Sequence, residues 1–252
     1  MPSGPTTPVL IVGNREQAPA AVRYYPEEPP SHAPALASAV LPGDNRWAGS
    51  AYAFIRRGAG VQLAAGGTLG GSQIGARITY RLNEARERPV ALSARFYAPT
   101  NDIDATEIAG GLEWKPFASL PVRLLAERRQ AIAGEGRSAF SLLAHGGVSG
   151  VAITGPLRLD AYGQAGVVGA RSRDLFADGA LRVAAPLDVR GTLSVGAGIW
   201  AAAQPGVERV DLGPTASVRV GEKLRLTGDW RFRIGGDASP RSGPALTLSS
   251  DF

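Results

Sequence analysis

The sequence contains no cysteine. Disulfide frameworks, thiolate zinc sites and cysteine nucleophiles are therefore excluded. Histidine is nearly absent as well. His32 and His145 are the two copies in 252 residues, too few for a multi-histidine metal centre. Methionine occurs once, and aromatic residues make up 7%. No apolar run reaches the roughly 18 residues of a transmembrane helix. A membrane-spanning form of this chain would have to be a closed barrel, the other architecture that satisfies every backbone polar group in lipid. Neither sign of charge dominates: 27 Lys and Arg stand against 22 Asp and Glu, a net +5. The basic residues are interleaved with acids and form no patch or stripe, which disfavours nucleic acid as a partner.

Glycine is abundant, with 33 copies, and proline, with 19, is unevenly placed. Nine prolines fall in the first 45 residues: Pro2, Pro5, Pro8, Pro19, Pro26, Pro29, Pro30, Pro34 and Pro42. Proline fixes φ and removes a backbone donor, so it resists both helix and central strand. Residues 1–45 read as an extended arm or linker, with room for one short strand at Val9–Val12. The arm lacks the basic start and apolar core of a secretory signal, so the precursor is expected to begin further upstream or to have been trimmed.

From Arg46 to Phe252 the texture changes to alternation. In 72–82, Ile74, Ala76, Ile78, Tyr80 and Leu82 share one face, and Gln73, Gly75, Arg77, Thr79 and Arg81 the other. Side chains of a strand point alternately to opposite faces, so this is a two-faced strand. Leu226, Trp230, Phe232 and Ile234 oppose Arg225, Asp229, Arg231 and Arg233 in the same way. Twelve such segments are expected near 46–57, 72–82, 90–98, 105–115, 122–131, 137–146, 157–169, 175–185, 190–201, 209–220, 223–234 and 244–252.

Alternation fits a soluble sandwich, with the apolar face turned inward, or a membrane barrel, with it turned outward to lipid. Strand length favours the barrel. Soluble strands average about 5–6 residues and transmembrane strands about 9–11, and most of these segments match the longer class. The even count agrees with outer-membrane barrels. The expected fold is all-β, a transmembrane antiparallel barrel of about twelve strands over residues 46–252, preceded by the arm. Its lumen would be lined by Arg77, Arg81, Arg95, Arg123, Arg158, Arg182, Arg219, Arg225, Arg231 and Arg233. Glu107, Glu113, Glu127, Asp160, Asp178, Asp211 and Asp229 would share that face. Trp47, Trp114 and Phe252 fall near one rim, as an aromatic girdle would. The chain closes on an alternating strand, Leu246 to Phe252, whose final aromatic resembles the signal that outer-membrane barrels present to their assembly machinery.

Several segments carry a further resemblance: Arg95-Phe96-Tyr97-Ala98-Pro99, Asp104-Ala105-Thr106-Glu107, Gly111-Leu112-Glu113-Trp114-Lys115-Pro116 and Leu125-Ala126-Glu127-Arg128. Leu159–Gly166 and Asp229-Trp230-Arg231-Phe232-Arg233 belong to the same set. Residues 46–252 resemble the C-terminal outer-membrane barrel of the bacteriophage-adsorption protein A family, similar in turn to the outer-membrane subunit of cellulose secretion systems. The resemblance implies a non-enzymatic barrel in the bacterial outer membrane, a passive conduit or anchoring platform in exopolysaccharide export. It implies contact with lipid, lipopolysaccharide and an anionic polysaccharide. In that family a periplasmic helical-repeat region precedes the barrel. This chain has no repeat of about 34 residues, so a separate helical-repeat partner would have to supply one. A sealed structural or receptor barrel that docks partners or phage is the alternative, followed by a barrel lipid hydrolase and a soluble all-β binding protein.

Enzymatic chemistry finds little footing. His145 shares strand parity with Ser141, but two pleats separate them, whereas a nucleophile and its base must be within hydrogen-bond reach. Gly66–Gly71 lacks the Gly-Lys-Ser/Thr ending of a phosphate loop and precedes a strand, so it reads as a flexible outer loop. Asn101–Asp104 reads as a polar turn and not a calcium loop. Arg56-Arg57 and Arg128-Arg129 read as solvated rim charge, with lipopolysaccharide phosphate as the other reading. No catalytic residue, metal site or cofactor is expected.

Overall fold

The structure, a computed structural model, describes residues 45–57, 64, 69, 71–134 and 136–252. The arm, including its expected short strand, lies outside the described residues apart from Asn45. The described chain forms twelve strands: β1 Trp47–Arg56, β2 Gln73–Arg81, β3 Val90–Pro99, β4 Glu107–Trp114, β5 Val122–Ala131 and β6 Ala139–Ala152. They continue as β7 Arg158–Val168, β8 Asp174–Pro186, β9 Leu193–Gln204, β10 Val207–Val220, β11 Leu224–Gly236 and β12 Gly243–Asp251. Each pairs antiparallel with its sequence neighbours, and β1 pairs also with β12, closing the sheet into a barrel. Up-and-down order places both Asn45 and Phe252 at one rim, the terminal rim. The β1–β2, β3–β4, β5–β6, β7–β8, β9–β10 and β11–β12 connections lie at the opposite, distal rim.

Burial separates the barrel from the sandwich. Within β2, Ile78 is 41% exposed and its neighbour Arg77 is 5% exposed. In β4 the pair is Leu112 at 48% and Glu113 at 2%, and in β10 it is Leu212 at 47% and Asp211 at 0%. A sandwich buries its apolar face. Here the apolar face points out around the whole ring and the charged face points in. Trp47, Trp114 and Phe252 stand exposed at strand ends on the terminal rim, with the Trp47 and Tyr80 rings 4.7 Å apart. Phe140, Trp230 and Phe232 stand exposed toward the distal rim.

Two departures from simple alternation have local causes. β6 runs to Ala152, six residues past its expected end at 146, because Gly146 and Gly147 dilute the pattern and a register shift lies between Val148 and Val151. The Asp160 carboxylate holds that irregularity, accepting from Ser149 Oγ at 2.6 Å and from the Gly150 amide at 2.8 Å. Gly150 has φ +64°, a conformation that costs glycine little. The expected fourth segment, 105–115, begins instead with a short 3-10 turn, Ile103–Ala105, in which the Ala105 amide donates to the Asp102 carbonyl. The expected flexible loop at Gly66–Gly71 lies outside the described residues apart from Leu69 and Gly71. Leu69 is buried against Ala202 and Ala238, and Ala64 packs on Leu125, Leu143, Val168 and Phe176. The β1–β2 connection thus folds inward over the distal mouth at these two residues.

Closure brings backbones close together. A Cβ on Gly213 of β10 would lie 1.7 Å from the Trp230 carbonyl oxygen of β11, so only glycine fits there. A Cβ on Gly228, by contrast, would meet nothing within 4 Å. Gly213→Ala is expected to lower stability by about 1–3 kcal/mol through overpacking, and Gly228→Ala to leave it unchanged or slightly raised. Urea titration of the folded fraction, read by heat-modifiable gel mobility, checks both.

Candidate functional site: the charged barrel interior

The interior face is built by period-two alternation on each strand, and the hydrogen-bonded register of neighbouring strands decides which charges meet. The interior is organised around carboxylates that each serve several donors. Glu113 of β4 receives Arg77 of β2 through Nη2, Arg123 Nη1 of β5 at 3.1 Å and His145 Nε2 of β6 at 3.0 Å. Arg77 also donates from Nε to Ser93 Oγ at 3.0 Å. Glu127 of β5 accepts from Arg95 Nη2 at 2.8 Å, from Arg129 Nε at 3.0 Å and from Ser141 Oγ at 3.0 Å. Glu107 ends its strand at the distal rim, where it accepts the Arg137 amide at 2.7 Å.

The other half of the ring repeats the arrangement with aspartates. Asp229 of β11 takes Arg182 Nη2 at 3.4 Å, Arg231 Nη2 at 3.2 Å and Thr215 Oγ1 at 2.7 Å. Both arginines lie against Trp200 of β9, Arg182 at 5.4 Å and Arg231 at 4.5 Å from the ring centre. Asp211 of β10 accepts Arg209 Nε at 2.7 Å and pairs with Arg56 Nη2 of β1 at 3.2 Å. Asp178 accepts the Tyr162 hydroxyl at 2.5 Å. Pairing of this kind is what keeps buried charge tolerable, since an isolated ion away from water costs several kcal/mol.

Most of the residues expected to line the lumen are brought together inside the ring. Arg77, Arg81, Arg95, Glu107, Glu113, Glu127, Asp160, Asp178, Arg182, Asp211, Arg225, Asp229 and Arg231 are buried there. Arg123 and Arg219 are half-buried on the same face. Arg158 is not brought in. It is the first residue of β7, exposed at the terminal rim, and donates to the Gly155 and Leu157 carbonyls. Arg233 is half-buried at the distal end, donating to the Asp237 and Ala238 carbonyls of the β11–β12 connection. For both, parity is inward, but position along the strand carries the side chain to a mouth.

Sequence reasoning missed three members of the network. Arg56 and Arg129 are buried interior residues and not rim charges. Their neighbours behave differently: Arg128 lies exposed over the Phe140 ring at 4.9 Å. A signal was available for Arg129, which shares parity with Glu127, but not for Arg56, which shares parity with Phe54, an apolar residue that only the structure shows to face inward. Arg209 shares parity with Asp211 and was overlooked at the strand margin. Ser141 and His145 serve different carboxylates, Glu127 and Glu113, so no nucleophile meets a base there. Among the described residues no group of acids and histidines is placed to hold a metal.

No family model matches the chain, and no curated protein matches it. Solved structures do align along most of its length. One is a membrane protein from work on the mechanism of in-meso crystallization, at 9% identity, TM-score 0.46, covering 81% of this chain and 83% of that one. Another is the COG4313 outer membrane channel from Pseudomonas putida F1, at 13% identity and TM-score 0.43, covering 84% and 99%. A third is a loop L8 deletion mutant of OmpT, an outer membrane protein of Vibrio cholerae, at 9% identity and TM-score 0.33, covering 82% and 97%. At these scores the likeness carries no functional inference, and the reading below rests on the barrel's own two faces.

Glu113 is the most heavily shared of these acids. Glu113→Gln leaves Arg77 and Arg123 buried with their common counter-charge gone, and is expected to destabilise the barrel by about 3–5 kcal/mol. Glu84→Gln, which removes an exposed partner of Arg46 at 3.5 Å, is expected to cost under about 1 kcal/mol. Urea unfolding of the two variants side by side measures the difference.

Proposed function

We propose that this chain is a non-enzymatic β-barrel of the bacterial outer membrane, channel-like, with a narrow lumen lined by charges of both signs. One observation carries this reading: apolar side chains are exposed around the ring while arginines, glutamates and aspartates are buried inside it. Water does not favour such a distribution, since it would hydrate the apolar face and leave the charges dry. Lipid does favour it, because an outward apolar band between aromatic girdles is what a bilayer solvates. In this reading the terminal rim faces the periplasm, the distal connections face outward, and Phe252 marks the last strand for assembly. Lipid and lipopolysaccharide contact the outer face.

The packing of the interior supports a finer statement. Ion pairs such as Arg56–Asp211 and Arg182–Asp229 bridge strands that are three apart in the ring. Ala64 and Leu69 of the β1–β2 connection lie buried at the distal mouth. A lumen held in this way suits small ions or none. A polysaccharide chain would need these bridges to part, so a role in exopolysaccharide export, with a helical-repeat partner, rests on the resemblance of the quoted segments alone. The close packing favours one second reading, a sealed receptor or anchoring barrel that binds through its distal connections.

Two measurements test these readings. Ile78→Arg puts a charge on the mid-strand outer face and is expected to cost about 2–4 kcal/mol in a bilayer; unchanged stability there would count against the lipid-facing assignment. Correctly folded protein in a planar bilayer is expected to give small, discrete conductance steps. Complete absence of current would remove the conduit and leave the sealed platform.

A further inference from the structure

The aspartate-centred half of the interior holds more positive charge than it can neutralise. Around Asp211 and Asp229 stand four guanidinium groups, those of Arg56, Arg209, Arg182 and Arg231. Arg231 lies 5.0 Å above the ring of Phe54, two residues before Arg56 on the same face of β1. Arg56 and Arg209 share the Asp211 carboxylate, at 3.2 and 2.7 Å. Arg56, Arg209 and Arg231 are 3%, 1% and 3% exposed, so bulk water does not screen them.

The hydrogen-bond inventory of this cluster is one-sided. Nε and Nη1 of Arg56, Nη2 of Arg209, and Nε and Nη1 of Arg231 are buried donors without an acceptor in hydrogen-bonding geometry. Trp200 Nε1, beneath Arg231, is another. Against these donors stands one buried acceptor without a partner, Asp211 Oδ1. A buried donor left unmade costs about 1–3 kcal/mol, more when charged. A ligand that completes the cluster must therefore bring negative charge and several acceptors and few donors of its own. A metal cation would be repelled, and a neutral sugar would add hydroxyl donors to a donor excess. Guanidinium forks match the oxygens of phosphate, sulfate and carboxylate.

We propose that the Arg56–Arg209–Arg231 cluster inside the distal half of the barrel is a binding site for a small multivalent oxyanion of the phosphate or sulfate class. The cluster lies within the wall, beneath the β11–β12 connection whose Ala238 and Pro240 carbonyls accept from Arg209. A lipid headgroup on the outer face does not reach it. The proposal goes beyond the channel reading and does not depend on conduction.

The test uses the full chain, refolded from denaturant in detergent with radiolabelled inorganic phosphate so that an enclosed site can load, and then desalted. Wild-type protein is expected to retain phosphate saturably, about one per barrel, with sulfate competing and chloride at matched ionic strength failing to compete. Arg56→Gln is expected to weaken retention by about tenfold or more, the effect of losing one charge-assisted pair. Arg128→Gln removes an exposed positive charge outside the cluster and is expected to change nothing. Arg56→Lys keeps the charge on Asp211 and loses the guanidinium fork, and is expected to weaken retention by less than Arg56→Gln and by more than Arg128→Gln, so a conservative variant remains should Arg56→Gln fail to fold. Failure of folded wild-type protein to retain phosphate overturns the proposal, as does equal loss in Arg56→Gln and Arg128→Gln. A barrel that binds phosphate and passes no current keeps this site and loses the conduit. A conducting barrel that binds none does the reverse.

Discussion

Everything in this molecule depends on the sharing of buried carboxylates. A closed wall with its charged face inward has little bulk water to solvate those charges, so each has to find its complement two residues along its own strand or on another strand. The sequence supplies acids sparingly, and each is used more than once. Glu113 serves Arg77, Arg123 and His145; Glu127 serves Arg95, Arg129 and Ser141; Asp229 serves Arg182, Arg231 and Thr215. Four of these contacts, Arg77–Glu113, His145–Glu113, Arg95–Glu127 and Arg182–Asp229, link strands that are not hydrogen-bonded to each other. They act as cross-braces on a ring whose backbone ladder holds only neighbours.

The ladder itself is local. Each strand pairs with the next in sequence, and the connections between β9 and β10 and between β10 and β11 are two and three residues long. A hairpin with so short a turn sets its own register, and register decides which side chains face inward together. The single non-local step is closure between β1 and β12, where the Gly49 and Phe252 backbones exchange hydrogen bonds of 2.7 and 2.9 Å. Small residues let the wall bend tightly enough for that step. Gly213 beside the Trp230 carbonyl is the most demanding case. Gly196 is another, since a Cβ there would sit 1.9 Å from the Val183 carbonyl oxygen.

The two faces then divide the work. The outer face gives the molecule its solvent, because exposed leucine, isoleucine and phenylalanine around a full ring suit hydrocarbon and not water. The inner face carries the charges of both signs and the hydrogen bonds that join them. The two halves of the interior differ. The glutamate half around β2–β6 places Arg77, Arg95, Arg123 and Arg129 on shared carboxylates and leaves over single donors of Arg81 and Arg95, whereas the aspartate half leaves over more of its buried guanidinium donors. That asymmetry is a property of side-chain placement, invisible in a net charge of +5.

Alternation determined the number of strands and which residues share a face, because a period of two is plain over strands as long as β2 or β11; strand length and the even count pointed to the antiparallel barrel. It failed where glycine removes the pattern, as in β6, and at strand margins, where Arg158 and Arg233 have inward parity but reach a mouth. It also could not separate Arg56 from the exposed Arg57 beside it, since Arg56 shares its parity with the apolar Phe54, whereas Arg129 shares the parity of Glu127. What the tertiary structure decided was which charges meet. Arg56 finds Asp211 across two intervening strands, a distance of 155 residues in sequence. No spacing rule contains that pair, because it is set by the closure and curvature of the whole ring.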